Sequence, residues 1–288
     1  MLTVHQILTN AARKLKLNPP TTFVGGNTTA KSLLTSLEMC GNKLVKEYSW
    51  PVLERKHSIT LVSAQSSYAL PADYDRQVKQ TGWNTSNKRR FLNGVTSQEF
   101  AGLENSVGNV PDFDVMRAFG WADSQLNLYT APSPSAAGQV LDFYYISNRW
   151  MRPRTWQSGL VVTLNERIWY NGNVYTAGAN GTTGATAPTH TTGSVSDGVI
   201  TWTYVQDFGY TTVSADTDVP HLDDLLLTLE VIVDFGADEG FDVSKHIADR
   251  DKRLMQVKGD LAGAEIIRSF GRYKHEMAHF PETGFTGY

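Results

Sequence analysis

Apolar residues recur at spacings of three and four through Val4, Ile7, Leu8, Ala11, Ala12 and Leu15, which places them on one face of a helix. Thr3 and Gln6 read as a capping box, each side chain satisfying a free backbone N–H of the first turn. Asn18-Pro19-Pro20 is expected to stop this helix, because proline has no N–H to continue the ladder. A loop with Gly25-Gly26 leads to a longer helix whose stripe is Leu33, Leu37, Cys40, Leu44 and Tyr48, ending at Trp50-Pro51. The period then changes. His57 to Leu70 alternates in places and reads as strands, with Leu70-Pro71-Ala72-Asp73 as a turn. Leu126 to Tyr129 and Val140 to Ile146 are strand-like and joined by the turn-rich Ala131 to Gly138, so one antiparallel sheet is expected.

Between Gln157 and Asp207 Gly, Thr and Ser dominate, and aromatics sit in short runs: Ile168-Trp169-Tyr170, Val174-Tyr175 and Ile200 to Tyr204. Asn171-Gly172 between two such runs is a hairpin signal, since both positions tolerate positive φ. Helical spacing returns near Pro220. Leu222, Leu225, Leu226, Leu229, Ile232 and Val233 are apolar on more than one face, as in a deeply packed helix. A last helix carries Val243, Ile247, Leu254, Val257, Leu261, Ala264 and Ile267 and fades near Gly271; Arg272 to Tyr288 has no period. The expected fold class is α+β. N- and C-terminal helices (1–56 and 210–271) form a helical bundle around a central antiparallel β part (57–156), with a small all-β insert (157–209) and an extended C-terminal docking tail (272–288).

Composition narrows the function classes. The hydrophobic fraction of 41% and charged fraction of 19% are ordinary for a soluble protein, and a net charge of -3 gives no overall pull toward nucleic acid or anionic membrane. Lys88, Arg89 and Arg90 form one basic cluster, read as a solvated turn. The longest apolar stretch, Leu225 to Phe235, is broken by Thr228, Glu230 and Asp234, so no membrane span is expected. Met1 to Leu17 has helical spacing and not the continuous apolar run of a signal peptide. The single cysteine, Cys40, excludes an intrachain disulfide and a multi-cysteine zinc site, and points to synthesis in a cytosol.

One motif argues for chemistry. His275-Glu276-Met277-Ala278-His279 matches H-E-x-x-H, which on a helix puts two histidines on one face for zinc, with the glutamate as general base. A catalytic zinc needs a third protein ligand, and Glu282 follows Pro281, where a helix has already broken; Glu282 and Phe285 also occupy the positions where the extended motif needs Gly and His. A polar helix end is the preferred reading, so neither a metal nor any other cofactor is expected, and a zinc-dependent hydrolase stays as an alternative. Asp73 with Asp75 and Asp216 with Asp218 read as turn chemistry. Trp169, Tyr170, Tyr175, Trp202 and Tyr204 offer a stacking surface for sugar rings or a partner, which makes a carbohydrate-binding module the third reading; the competing reading places alternate residues in a small core.

Gln65-Ser66-Ser67-Tyr68-Ala69-Leu70-Pro71-Ala72-Asp73-Tyr74-Asp75-Arg76 resembles a recurring segment of head-to-tail adaptor (connector) proteins of short-tailed bacteriophages. So do Trp83 with Arg89-Arg90-Phe91-Leu92, and Val95 to Phe100. Leu126 to Pro132 running into Leu141 to Trp150 is similar to that family's strand–turn–strand, and Asp216-Thr217-Asp218-Val219-Pro220 to its return into helices. The resemblance covers most of the chain outside Gln157 to Asp207. It implies a non-enzymatic virion protein at the head–tail junction, made in the host cytoplasm. Such a protein forms a homo-oligomeric ring, commonly dodecameric, bound to the portal protein above and a tail nozzle or hub below, through which double-stranded DNA passes. It also implies that the C-terminal segment docks on the portal, with Tyr273, His275, His279, Phe280, Phe285 and Tyr288 as the contact residues. The insert departs from the family pattern and leaves open a role in receiving tail fibres or glycans.

Overall fold

The structure is a computed structural model that describes residues 1–79, 81–90, 92–93, 98, 115–118, 125–128 and 134–261. Helix α1 (Val4–Lys14) starts at the expected capping box: Gln6 N donates to Thr3 Oγ1 at 3.3 Å and Thr3 N donates to Gln6 Oε1 at 3.0 Å. It ends before the prolines. Lys16 takes a φ of 60°, and the Lys16 and Leu17 N–H groups turn back to the Arg13 and Ala12 carbonyls, so a left-handed turn closes the helix and Pro19-Pro20 only follow it.

Helix α2 (Thr28–Glu47) is capped by Asn27, whose Oδ1 accepts from Ala30 N at 2.9 Å. The chain then enters β territory: β1 (Glu54–Thr60), β2 (Ser67–Ala69), β3 (Tyr74–Gln77), β4 (Trp83–Asn84), β5 (Arg89–Arg90), β6 (Leu92–Asn93), β7 (Val115–Ala118), β8 (Gln125–Leu128) and β9 (Val140–Ser147). Strand β10 (Met151–Arg152) follows at once, and β11 (Val161–Val162), β12 (Arg167–Tyr170), β13 (Asn173–Ala177), β14 (Gly181–Thr182), β15 (Ser194–Asp197) and β16 (Ile200–Asp207) build the insert. After β17 (Val219–Pro220) come α3 (Asp224–Asp238) and α4 (Ser244–Leu261). Helices with several antiparallel sheets make this a mixed α+β chain.

The single central sheet expected from the sequence is two. Strand β9 pairs with β1 along one edge and with β3 and β4 along the other. Strand β8, which precedes it in sequence, pairs instead with β2 and β7, so the two strands flanking Ala131 to Gly138 lie in different sheets. The insert sheet has the order β12-β13-β16-β15, and its first hairpin turns on Asn171 and Gly172 at φ 46° and 84°, as the Asn-Gly signal predicts.

Three apolar clusters follow from this layout. The largest joins Ile7, Leu8, Leu33, Leu37, Leu44, Leu226, Val231 and Phe235 of the helices with Ile146, Trp150 and Met151 from the end of β9 onward. Helix α3 contacts α1, α2 and α4. A second cluster, with Ile59, Leu141 and Phe143, sits on the β1–β9 sheet, and a third fills the insert. Among the described residues no helix is long and apolar enough to cross a membrane.

Candidate functional site

The apolar residues on more than one face of α3 predict a deeply packed helix, and the structure packs it on part of that surface. Leu226, Leu227, Val231 and Ile232 are buried, whereas Leu225 is 48% exposed and Leu229 half-buried. The reason is that residues of α1 and α4 line a gap beside Leu225 and Leu229. Gly240, at φ 74°, ends the first helix, and Asp242 Oδ1 starts the second by accepting from Ser244 N at 3.0 Å. Arg253 then clamps α4 to the N-terminus of α3 through Asp223, with contacts of 3.0 and 2.7 Å. What remains between α1, α3 and α4 is a groove of about 780 Å³. Its floor is Leu2, Leu225, Leu229 and Ile232, and exposed Arg13, Lys14, Lys245 and Lys252 stand around it.

A second, smaller groove of about 350 Å³ lies between α2 and α3, on a different side of α3. Its character is opposite. Met39 projects from α2 at 62% exposure beside Asp234, Asp238 and Glu239, with Lys31 as the cation of this face. Beneath it Cys40 is buried, and that burial, reinforced by the carboxylates of Asp234 and Glu230, pushes its thiol up to about 12. Cys40 is therefore a packing residue and not a nucleophile.

A third polar assembly sits where the insert meets the body. Asp73 is buried and accepts from Tyr145 Oη at 2.9 Å and Ser147 Oγ at 2.7 Å, with Arg55 Nη1 at 3.7 Å. Arg55 and Arg149 both hold Asp207, the last residue of β16, at 2.6 and 3.0 Å. Phe208 follows at a φ of 62°; its ring lies parallel to His221 at 4.6 Å and under the Arg55 guanidinium at 4.8 Å. His221 Nε2 donates to the Phe208 carbonyl at 3.0 Å. Burial, with Arg152 and Arg55 also opposing a second proton, lowers His221 to about 4.

This histidine gives the junction a pH dependence. Its folded value lies below the ordinary 6.5, so the unfolded chain takes up the proton first. The His221 contribution is complete above about pH 6.5 and is lost as pH falls toward 4, by about 3 kcal/mol at most. Urea melts at pH 7 and pH 4.5 should show that loss, and His221→Phe should remove part of it. Identical pH profiles for the variant and the parent would count against the assignment.

Two of the five insert aromatics, Tyr175 and Trp202, belong to the core of the insert, and Tyr170 and Tyr204 pack against it. Tyr175 and Trp202 are fully buried, so neither is available as a stacking face for a sugar ring. Tyr175 Oη donates to the His190 carbonyl at 2.9 Å, and Tyr204 packs edge-on to the Tyr175 ring at 6.1 Å. Tyr170 packs edge-on to Trp156, and Trp169 is taken by the Arg152 guanidinium at 4.4 Å. The signal was present in the strand alternation: Ile168, Tyr175, Ala177, Ile200 and Trp202 line one inward face.

The paired aspartates act as turn anchors. Asp218 accepts from Ser214 N and Ala215 N at 2.7 and 2.9 Å, while Asp216 accepts from Phe23 N and Val24 N. Asp75 pairs with Arg76, which also donates to the Val45 and Tyr48 carbonyls at the end of α2. Lys88, Arg89 and Arg90 are exposed around the β4–β5 turn. Tyr273, His275, His279, Phe280, Phe285 and Tyr288 lie outside the described residues. Among the described residues no cluster of three His, Cys, Asp or Glu is arranged to hold a metal ion. No protein-family model matches the chain, and no curated protein matches its sequence.

Proposed function

We propose that this chain is a structural, non-catalytic protein: a ring-forming adaptor at the head–tail junction of a short-tailed phage particle. The observation that carries the reading is a groove on the helical layer that the described residues leave open, apolar at its floor and charged at its rim. The groove lies on helices drawn from both ends of the chain, so it offers a partner one concave surface with an apolar floor. The resemblance of Gln65 to Arg76, Leu141 to Trp150 and Asp216 to Pro220 to connector proteins supplies the class. In this reading the N- and C-terminal helices form a bundle that packs side by side around the ring. The β part faces a tail nozzle or hub, and residues 272–288 reach the portal as an extended tail. A net charge of -3 suits a conduit, since a strongly basic lining would grip passing double-stranded DNA through its phosphates.

The test is the assembly state of the full chain, alone and mixed with the portal protein of its phage, by mass photometry and negative-stain electron microscopy. Closed rings, or a monomer that closes into a ring on the portal, are expected. A chain that stays monomeric in both conditions and binds no portal overturns the reading.

A further inference from the structure

We infer that the two grooves flanking α3 are the two halves of one contact between copies of this chain, with Met39 of one copy seated in the α1–α3–α4 groove of the next. The inference rests on the proposed ring only for closure; the contact itself follows from the two surfaces.

Three properties match. The larger groove has an apolar floor of Leu2, Leu225, Leu229 and Ile232, and among the described residues no apolar side chain fills its 780 Å³, whereas the smaller face projects one, Met39. A methionine is flexible enough to fill an irregular apolar site, and is enriched at protein interfaces for that reason. The rims are complementary in their balance: Arg13, Lys14, Lys245 and Lys252 outnumber Asp224 and Asp249 around the groove, while Asp234, Asp238 and Glu239 outnumber Lys31 around Met39. All four cations, with Asp238 and Glu239, are exposed and so can meet a partner.

Complementarity also selects the mode of association. A two-fold contact either sets each surface against itself, opposing like charge excesses at a cost in free energy, or pairs both faces at once, which needs them in one patch, whereas they lie on different sides of α3. A contact between unlike faces avoids this. Each copy then keeps one free groove and one free Met39 face, so the contact propagates and yields a ring wherever its rotation closes.

The decisive experiment uses two charge-reversed full-length variants. One carries Lys245→Glu and Lys252→Glu in the groove; the other carries Asp238→Lys and Glu239→Lys on the Met39 face. All four positions are exposed, so both variants should fold, with unchanged circular dichroism and melting temperature. Each alone now opposes like charges and should lose self-association by at least about tenfold, read by mass photometry over a concentration series. Mixed in equal amounts they restore unlike charges at every contact, and the assembly should return in an alternating ring. Met39→Asp should weaken assembly of the parent by a similar factor.

If each variant assembles as the parent does, or if mixing restores nothing, the assignment of these two faces is overturned, while rings formed by the parent leave the adaptor reading standing. If the parent forms no assembly alone or on the portal, both fall together.

Discussion

Trp150→Ala is expected to remove about 3–5 kcal/mol of folding stability, as a large drop in the urea midpoint with little change in slope. That is a large share of the roughly 5–15 kcal/mol that holds a domain folded. Trp150 is fully buried just beyond β9, at the point where sheet, helices and insert converge. Its ring lies directly on Gly41 of α2, and its Nε1 donates to Asn42 Oδ1 at 3.0 Å and the Thr211 carbonyl at 3.1 Å. Its carbonyl accepts from His221 N at 2.8 Å. Truncation therefore opens a cavity and takes the donor from two acceptors at once. The reciprocal change, Gly41→Val, should be destabilising by overpacking, because even a Cβ at this position would enter the indole ring. In the double variant Gly41→Val with Trp150→Ala the new methyls partly fill the space, so its loss should be smaller than the sum of the singles. A loss below about 1 kcal/mol for Trp150→Ala would show that the ring does not hold these layers together.

The local parts of this fold were legible in the sequence because their causes are local. The Thr3–Gln6 capping box, the Asn171-Gly172 hairpin and the stripes of α1 and α2 depend on neighbours within a turn or two, and the structure carries all of them. What was illegible depends on partners distant in the chain. Leu225 and Leu226 are the same residue type side by side, yet one is exposed and the other buried, because Leu226 faces the main core and Leu225 the gap between α1, α3 and α4. Strands β8 and β9 are adjacent in sequence and each alternates plausibly, but β2 and β1 claim them for different sheets. The insert aromatics show a middle case. Period-2 alternation does tell which of Trp202 and Thr203 turn inward once the strand is fixed, and read strictly it assigns Trp202 to the core. Of the candidate surfaces, Met39 was invisible as more than a polar-face residue of α2. Its meaning comes from Asp234, Asp238 and Glu239, which α3 brings beside it.

Asp73 is the clearest such case, and replacing it should be the other large loss. In the sequence it is one aspartate of a Pro-Ala-Asp turn, where a solvated side chain is the ordinary expectation. In the structure it is buried, and its two oxygens take protons from Tyr145 Oη and Ser147 Oγ while Arg55 stands 3.7 Å away. Its own carbonyl accepts from Asn148 N at 2.8 Å, so side chain and backbone both bind the end of β9. Asp73→Ala leaves a buried tyrosine hydroxyl, a buried serine hydroxyl and part of a guanidinium without their partner. The expected loss is about 3–5 kcal/mol, the range for breaking one side of a buried charged network. Asp73→Asn keeps the shape and one acceptor oxygen, and Arg55 retains Asp207 at 2.6 Å, so its loss should be clearly smaller. The combination Asp73→Ala with Tyr145→Phe should be less damaging than the two singles added, because the phenylalanine no longer carries a hydroxyl to strand. Urea melts of the three variants give the comparison. If Asp73→Ala falls within about 1 kcal/mol of the parent, or if the double variant is simply additive, the network contributes packing alone and not the coupling that ties the β3 turn to the sheet.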